Sequence, residues 1–214
     1  MSTQTVQLLG FPPSTFYQTA ALVLTEKGVA FETNMPALAD PDYAKIHPWR
    51  RVPVLVHDEI TIFETLAIAV YADSRFEGPA LQPSEMLGRA RMFQWISAFL
   101  DYGVNSILEF SVRERFLKAL RNQTADEAIV EQHRPAMNYF CTQLNRGLSS
   151  AFIAGPSISI ADLFLIPVMI YFGNTPEGRE ALAANSNVMR WLDVVKKRPS
   201  VTAVCPQVDW RIDA

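Results

Sequence analysis

Two polar side chains, Glu64 and Thr65, stand where a predicted strand ends and a predicted helix begins. A carboxylate and a hydroxyl beside the free amides of a helix N-terminus can bind the ammonium and carboxylate groups of an amino acid. The same residue types also serve as ordinary helix caps. The pair therefore indicates either a binding site for an amino-acid-like ligand or a structural cap.

A second group of hydroxyls lies in residues 10–17, between the first predicted strand and the first predicted helix. Ser14 and Thr15 stand at the start of that helix, where a hydroxyl can donate to an anion or cap the helix. Tyr17 is a rival hydroxyl, but it lies about one turn inside the helix. Its position favours a pocket or packing role.

Thiol and imidazole groups are sparse and scattered along the chain. Cys141 and Cys205 form no CxxC pair, and isolated cysteines are typical of a reducing cytoplasm. His47, His57 and His133 lack the spacing of metal ligands. We therefore expect no metal site and no cysteine-based chemistry.

The first 78 residues alternate between short β-rich runs and helical segments. Thr15 to Lys27 has helical spacing and ends at Gly28, a plausible C-cap. Asp58 and Glu59 separate two β-rich runs and predict a tight hairpin. The predicted order is β-α-β-α-β-β-α, with strands at 6–9, 30–33, 54–57 and 61–63 and a closing helix at 64–75.

The pattern changes after a linker punctuated by Gly78, Pro79 and Pro83, and only helices are predicted beyond it. Mixed α/β structure followed by helices indicates two domains, at 1–78 and 84–214. The predicted helices span 84 to about 109, 124–147, 159–172 and 187–197, and a further helical segment begins at Thr175 and Pro176. A Thr124-x-x-Glu127 capping box opens the second of these helices, and Pro199 stops the last. The tail from Val201 has no clear period.

Composition restricts the partners of the chain. With 214 residues, 49% of them hydrophobic, it can bury substantial cores. A net charge of -3 gives no attraction to nucleic acid, so none is expected as a partner. No apolar run reaches the roughly 18 residues of a membrane span, and the N-terminus lacks a signal-peptide pattern. A soluble, cytoplasmic protein without membrane insertion is predicted.

Three motifs, in order along the chain, resemble those of the glutathione transferases. Pro53 directly precedes a strand; residues 63–68 (Phe-Glu-Thr-Leu-Ala-Ile) resemble the family's Glu-Ser-x-Ala-Ile element; and Ser159 and Asp162 match its buried capping box. The resemblance implies a thioredoxin-like α/β N-terminal domain that binds glutathione and an all-helical C-terminal domain. It also implies a cis peptide before Pro53 and a folding role for Asp162.

Within that family, residues 10–17 resemble the serine-type phi and theta-like classes of plants and fungi. The resemblance implies that Ser14 stabilises the thiolate of glutathione, with Thr15 as its neighbour or substitute. It also implies that the backbone of Val52, exposed by Pro53, pairs with the cysteinyl unit of glutathione. Glu64 and Thr65 then hold its γ-glutamyl end.

One family feature is missing. The His-Lys pair that holds the glycine carboxylate of glutathione in phi-like proteins is replaced by residues 38–40, Leu-Ala-Asp. Arg51 stands where those relatives have glutamine. Arg51, Arg50 or Lys45 is therefore the expected cation.

A pocket for an apolar second substrate is expected from side chains in both domains. In the helical domain, residues 101–106 mix small and polar groups where the family's helix faces the thiol, which makes Tyr102, Asn105 and Ser106 candidates. Phe11 and Tyr17 are the candidates in the first domain. A solvated helix face is the alternative for the first three.

The resemblance implies an enzyme that activates the glutathione thiol for attack on a hydrophobic electrophile. The outcome is conjugation or a glutathione-dependent double-bond isomerisation. The alternatives are a non-catalytic, glutathione-dependent carrier of hydrophobic ligands and a transferase-like structural module. A homodimer is expected, in which the α/β domain of one subunit packs on the helical domain of the other.

Overall fold

The computed structural model describes residues 5–205. These residues form two compact units. One runs to Gln82 and includes Ala203–Cys205, and the other spans Pro83–Thr202.

The first unit contains a four-stranded sheet in the order β2-β1-β3-β4. Strands β1 and β2 are parallel, whereas β1–β3 and β3–β4 are antiparallel, so the predicted βαβ unit and hairpin are confirmed. Asp58, at the hairpin turn, has a φ of 51°, a value suited to a tight turn. The elements are β1 (Val6–Leu9), α1 (Thr15–Glu26), β2 (Glu32–Asn34), β3 (Val54–His57), β4 (Ile60–Phe63) and α2 (Thr65–Arg75).

The predicted helix between β2 and β3 is only a short 3-10 turn, Pro41–Lys45. The Asp40 carboxylate accepts from the backbone N–H of Asp42 and starts the turn. Prolines at positions 36, 41 and 48 lack the N–H that a longer α-helix in this segment would require. The segment therefore forms a winding connection rather than a full helix.

Helices α1 and α2 pack together and bury apolar side chains against the sheet, with Leu22, Leu55 and Ile68 fully buried. Gly28 ends α1 with a φ of 69°, which confirms it as the residue that terminates the helix. Next to it, Lys27 forms a buried ion pair with Asp73 at 3.2 Å. This pair joins the ends of the two helices.

In the described chain beyond residue 83, every regular element is helical. The helices are α3 (Met86–Ala98), which continues as a π-helical segment (Phe99–Leu117) and α4 (Lys118–Leu120), then α5 (Glu127–Gly147), α6 (Ile160–Phe172), α7 (Pro176–Ala183), α8 (Ser186–Val195) and α9 (Pro199–Val204).

Three sequence-based expectations are corrected here. The helix predicted to end near Glu109 runs on as helical structure to Leu120. The cap of α5 is Asp126, whose carboxylate accepts from two backbone N–H groups of the first turn, so Thr124 does not open a capping box. Pro199 stops α8 as predicted but also begins α9, because its fixed φ suits a first helical position. Residues 206–214 of the predicted tail lie outside the described chain.

The core of the second unit is α6, all of whose residues are buried. A helix that is apolar on every side has to lie in the interior. The Ser159–Asp162 capping box is confirmed, and Asp162 is completely buried. Burial raises the pKa of Asp162, while hydrogen bonds from Ile153, Ser159 and Trp191 act in the opposite direction.

A buried ionic network lies where the π-helical segment meets α7. Both Glu177 oxygens accept from Arg115 Nε at 3.0 Å, and Ser111 donates to the same carboxylate at 2.5 Å. Arg115 also bonds Glu127 at the start of α5. One guanidinium thus joins three helical elements.

Within residues 5–205, each helix is either too short or too polar to cross a bilayer.

Candidate active site

Strand register gathers three predicted site segments at one end of the sheet. Leu9, the last residue of β1, is paired with Val54, the first residue of β3, and Val54 is paired with Phe63, the last residue of β4. The loop after Leu9 leads to Ser14, and the residue after Phe63 is Glu64. The three segments therefore lie at one end of the sheet. A site that recognises both the thiol and the peptide part of one ligand requires such an arrangement.

Ser14 occupies the N-cap of α1, with extended backbone angles of φ -70° and ψ 125°. Its carbonyl accepts the first helical hydrogen bond, from Gln18 N at 2.9 Å. Its half-buried side chain, however, makes no capping hydrogen bond. Because no acidic residue occupies the first turn, the positive end of the helix dipole is not neutralised locally. A hydroxyl donor thus lies beside an uncompensated helix N-terminus.

The other hydroxyls of this segment are placed differently. Thr15 is buried, and its carbonyl accepts from the Thr19 hydroxyl at 3.1 Å. Tyr17 is also buried, with its hydroxyl 2.5 Å from Thr33 Oγ1 and its ring packed against Gly10. Burial raises the pKa of Tyr17, although the Thr33 bond acts against this. Tyr17 thus has a packing role within the first unit, and its assignment to the second-substrate pocket stays a prediction.

The peptide bond between Val52 and Pro53 is cis, as predicted. Pro53 is buried and Val52 half-buried. The residue before them is held by a hydrogen bond from the Tyr43 hydroxyl to Arg51 O at 2.8 Å. This short segment enters β3 in a defined conformation.

Glu64 is the N-cap of α2 and is exposed, while Thr65 is buried. Glu64 has a φ of 70°, a left-handed conformation that costs free energy in any residue with a Cβ. Its carboxylate makes no capping hydrogen bond. The capping interpretation therefore fails for Glu64, and its carboxylate is left for another partner.

His47 was not a predicted site residue, yet it lies close to Glu64. It is buried, and its ring contacts Phe63 with centroids 4.9 Å apart. Burial lowers the pKa of His47, against the opposing charge of Glu64 and with the help of Arg51. The two side chains are near enough for their charges to interact. Only the fold brings them together, since they are far apart in sequence.

The candidate cations differ in how far they are already engaged. Lys45 donates to Asp42 at 2.6 Å, and both side chains are exposed. Arg50 and Arg51 are exposed, and neither forms an ion pair with another described residue. Arg50 and Arg51 are therefore less engaged in ion pairs than Lys45.

Phe11, the candidate from the first domain, is half-buried in the loop before Ser14.

In the second unit, Tyr102, Asn105 and Ser106 line one cavity of about 740 Å³. Tyr102 is 69% exposed, so its hydroxyl is accessible. Asn105 Nδ2 donates to the Asp101 carbonyl and the Ser106 hydroxyl donates to the Tyr102 carbonyl, both within the same segment. The remaining lining residues are Gln94, Trp95, Ala98, Asp101, Ala136, Tyr139, Phe140 and Gln143.

Both cysteines of the described chain are buried and unpaired in disulfides. Burial raises the pKa of Cys141 and of Cys205 to about 12, so neither is a thiolate at neutral pH. Among residues 5–205, no cluster of histidine, cysteine and acidic side chains has a metal-binding arrangement.

Two family models match the chain in succession. The N-terminal domain of glutathione S-transferase matches residues 4–74, and its C-terminal domain matches residues 113–193. The chain belongs to the glutathione S-transferase family. This confirms the two-part fold and the enzyme class predicted from the sequence.

Individual relatives are similar along most of their length. Glutathione S-transferase F12 of Arabidopsis thaliana is 27% identical over 203 residues, covering 91% of this chain and 94% of the relative. Glutathione S-transferase F10 of the same plant is 26% identical over 190 residues, covering 84% and 86%. The crystal structure of glutathione transferase F2 from Populus trichocarpa is 26% identical, with a TM-score of 0.86 and coverage of 94% and 97%.

Proposed function

We propose that this chain is a serine-type glutathione transferase in which Ser14 stabilises the glutathione thiolate. The observation that supports it most is the Ser14 hydroxyl, which stands at the N-terminus of α1 without a capping bond. It lies at the sheet edge shared with Val52, Pro53 and Glu64. A phi- or theta-like class, as in plants and fungi, is the finer assignment.

The chemistry required is a change in thiol acidity. A thiol with a pKa near 8.5 is only a few per cent ionised at pH 7. Lowering that pKa by about two units needs about 2.7 kcal/mol of selective stabilisation of the thiolate. A hydroxyl hydrogen bond and the helix N-terminus together supply energies of this size. Ser14 provides the first and α1 the second, with Thr15 as a secondary hydroxyl.

The peptide part of glutathione would be held by the other two segments. The cis peptide leaves the Val52 backbone to pair with the cysteinyl unit, with Pro53 fixing its direction. Glu64 would bind the γ-glutamyl ammonium and Thr65 its carboxylate. Arg51 would hold the glycine carboxylate in place of the missing His-Lys pair, with Lys45 as the weaker alternative because Asp42 already pairs with it.

The two domains would divide the work, with residues 1–78 binding glutathione and residues 84–214 shaping the second-substrate pocket. The cavity lined by Tyr102, Asn105 and Ser106 is our candidate for a bulky hydrophobic electrophile, because aromatic rings and a few donors suit such a ligand. Phe11 stays a separate prediction within the first domain. Conjugation and double-bond isomerisation use the same thiolate, and either is compatible with these residues.

We further propose a cytoplasmic homodimer. The first unit exposes Trp49 and Ile60, and the second exposes Met86, Leu87 and Tyr139, which are large apolar or aromatic side chains for a monomer surface. Sedimentation at micromolar concentration should give twice the chain mass. A monomeric mass would overturn the dimer and leave the thiolate proposal standing.

Ultraviolet titration of the bound glutathione thiol tests the proposed function directly. We expect thiolate absorbance to appear with a pKa near neutral. A bound thiol with its ordinary pKa would support the non-catalytic carrier instead, and no binding of glutathione would support a structural module.

A further inference from the structure

A second, smaller cavity of about 270 Å³ lies within the helical unit and shares only Gln94 and Trp95 with the larger cavity described above. One wall comes from α3, through Arg91, Gln94 and Trp95. The opposite wall is the end of α5 and the loop after it, including Arg146 and Ser150. It is built from two helices and one connecting loop.

The charges lining this cavity are all positive. Arg91 and Arg146 are its only ionisable residues, and no carboxylate lines it. Neither guanidinium has an ion pair or hydrogen bond with any residue in the described part of the chain. By contrast, Arg113 and Arg134 of the same unit are each paired with a glutamate. Both arginines are exposed, and two guanidiniums without a protein partner beside one cavity favour an anion.

The loop that forms the cavity floor is held in place by backbone hydrogen bonds. Ile153 N donates to the buried Asp162 carboxylate at 3.0 Å. Phe152 and Gly155 bond each other in both directions, at 3.0 Å and 3.3 Å. Ser149 and Ser150 come just before this hydrogen-bonded stretch and also line the cavity. A wall that is already ordered lowers the cost of binding a ligand.

Trp95 joins this cavity to the larger one. Its indole packs so closely on Gly147 that a Cβ there would lie 2.1 Å from a ring carbon. Trp95 and Gln94 line both cavities and form their common wall. The larger cavity is lined by further aromatic side chains, among them Tyr102 and Tyr139.

We propose that the cavity between Arg91 and Arg146 is a binding subsite for a phosphate or sulfate group. The planar guanidinium groups present paired N–H donors that match tetrahedral oxyanions, and Ser149 and Ser150 add hydroxyl donors. The oxyanion is either free or carried by an aryl ester whose ring lies beyond Trp95. This subsite is independent of the proposed Ser14 chemistry.

The probe is inorganic phosphate, added at constant ionic strength with chloride as the balancing ion. We expect a saturable change in tryptophan fluorescence that Trp95→Phe abolishes, and a dissociation constant raised about ten-fold or more by Arg91→Gln with Arg146→Gln. Arg121→Gln removes the same charge from an exposed position of the same unit and should change nothing. The single variants serve if the double variant fails to fold.

Phenyl phosphate distinguishes the two sources of the oxyanion. Binding about ten-fold tighter than inorganic phosphate indicates an aryl ester with its ring in the larger cavity. Equal affinity indicates a site for the free ion. The proposal is overturned if chloride alone produces the fluorescence change, or if the arginine variants bind phosphate as the wild type does.

Discussion

The indole nitrogen of Trp191 donates a hydrogen bond of 2.9 Å to the Asp162 carboxylate, which ties α8 to the start of α6. The same carboxylate accepts from Ile153 N, Ser159 N and the Ser159 hydroxyl. It therefore joins a helix cap, a loop and a second helix. All of these donors are buried, so none can replace the carboxylate with bulk water.

Asp162→Ala should destabilise the helical unit by about 3 kcal/mol or more, because several buried donors lose their acceptor at once. Asp193→Ala is the matched control, since that aspartate is exposed on the same helix as Trp191. Urea unfolding followed by far-ultraviolet circular dichroism measures both variants. If Asp162→Ala unfolds at the wild-type midpoint yet loses activity, the residue belongs to the site and not to the cap.

Acid sensitivity should come in part from Glu177. Burial raises the pKa of Glu177, but hydrogen bonds from Arg115 and Ser111 outweigh it, and the net shift is downward from the ordinary value of 4.5. The unfolded state therefore binds more protons in the acid range. The contribution of Glu177 is present above about pH 4.5 and is lost as the pH falls through its lower folded pKa.

Glu177→Gln should remove this part of the pH dependence and lower the free energy of unfolding at pH 7 by about 2 kcal/mol or more. Glu180→Gln is the control, because Glu180 lies on the same helix with a side chain 72% exposed. Unfolding free energies between pH 3 and pH 7 provide the comparison. Parallel curves for wild type and Glu177→Gln would show that the network does not titrate.

Much of the fold follows from local sequence signals. Alternating hydrophobic runs correctly predicted the bounds of β1 and β3, and Ser159 and Asp162 correctly predicted the start of α6. The prediction that Thr124 caps α5 was wrong, because Asp126, two residues later, accepts from the amides of the first turn. A full helix was predicted where only a 3-10 turn forms, because helical spacing is a weak indicator of an α-helix in a segment rich in proline.

The candidate site was predictable only where a motif marked it. Ser14 and Glu64 were found from their positions at helix starts, but their lack of capping bonds is visible only in three dimensions. The hydrogen bond between Tyr17 of α1 and Thr33 of β2 was not predicted, because it depends on tertiary structure. His47 was missed for the same reason, since its proximity to Glu64 depends on tertiary structure.

Glu64→Gln should weaken glutathione binding about ten-fold or more, because an ammonium would lose its charged partner. The thiol pKa of the glutathione that still binds should stay close to the wild-type value. Glu59→Gln, an exposed change in the hairpin turn at the other end of β4, is the control. Calorimetry that finds unchanged affinity in Glu64→Gln would remove this residue from the site.

The thermal stability of Ser14→Ala tests whether the Ser14 side chain caps α1. Its hydroxyl makes no capping bond, so Ser14→Ala should melt within a few degrees of wild type, rather than lose the roughly 0.5–2 kcal/mol typical of a lost cap. Thr15→Ala is the companion variant, because its hydroxyl is next to Ser14 in sequence at the start of α1. A large drop in the Ser14→Ala melting temperature would make Ser14 a structural residue.

The most direct measurement is the ultraviolet titration of glutathione bound to Ser14→Ala, beside wild type and Thr15→Ala. We predict that the thiol pKa rises by about one to two units in Ser14→Ala, each unit being worth about 1.36 kcal/mol. Conjugation at neutral pH should then fall about ten- to hundred-fold, with glutathione affinity nearly unchanged, since the donor acts mainly on the thiolate. An unshifted thiol pKa in Ser14→Ala, or a shift confined to Thr15→Ala, would contradict the serine-type assignment.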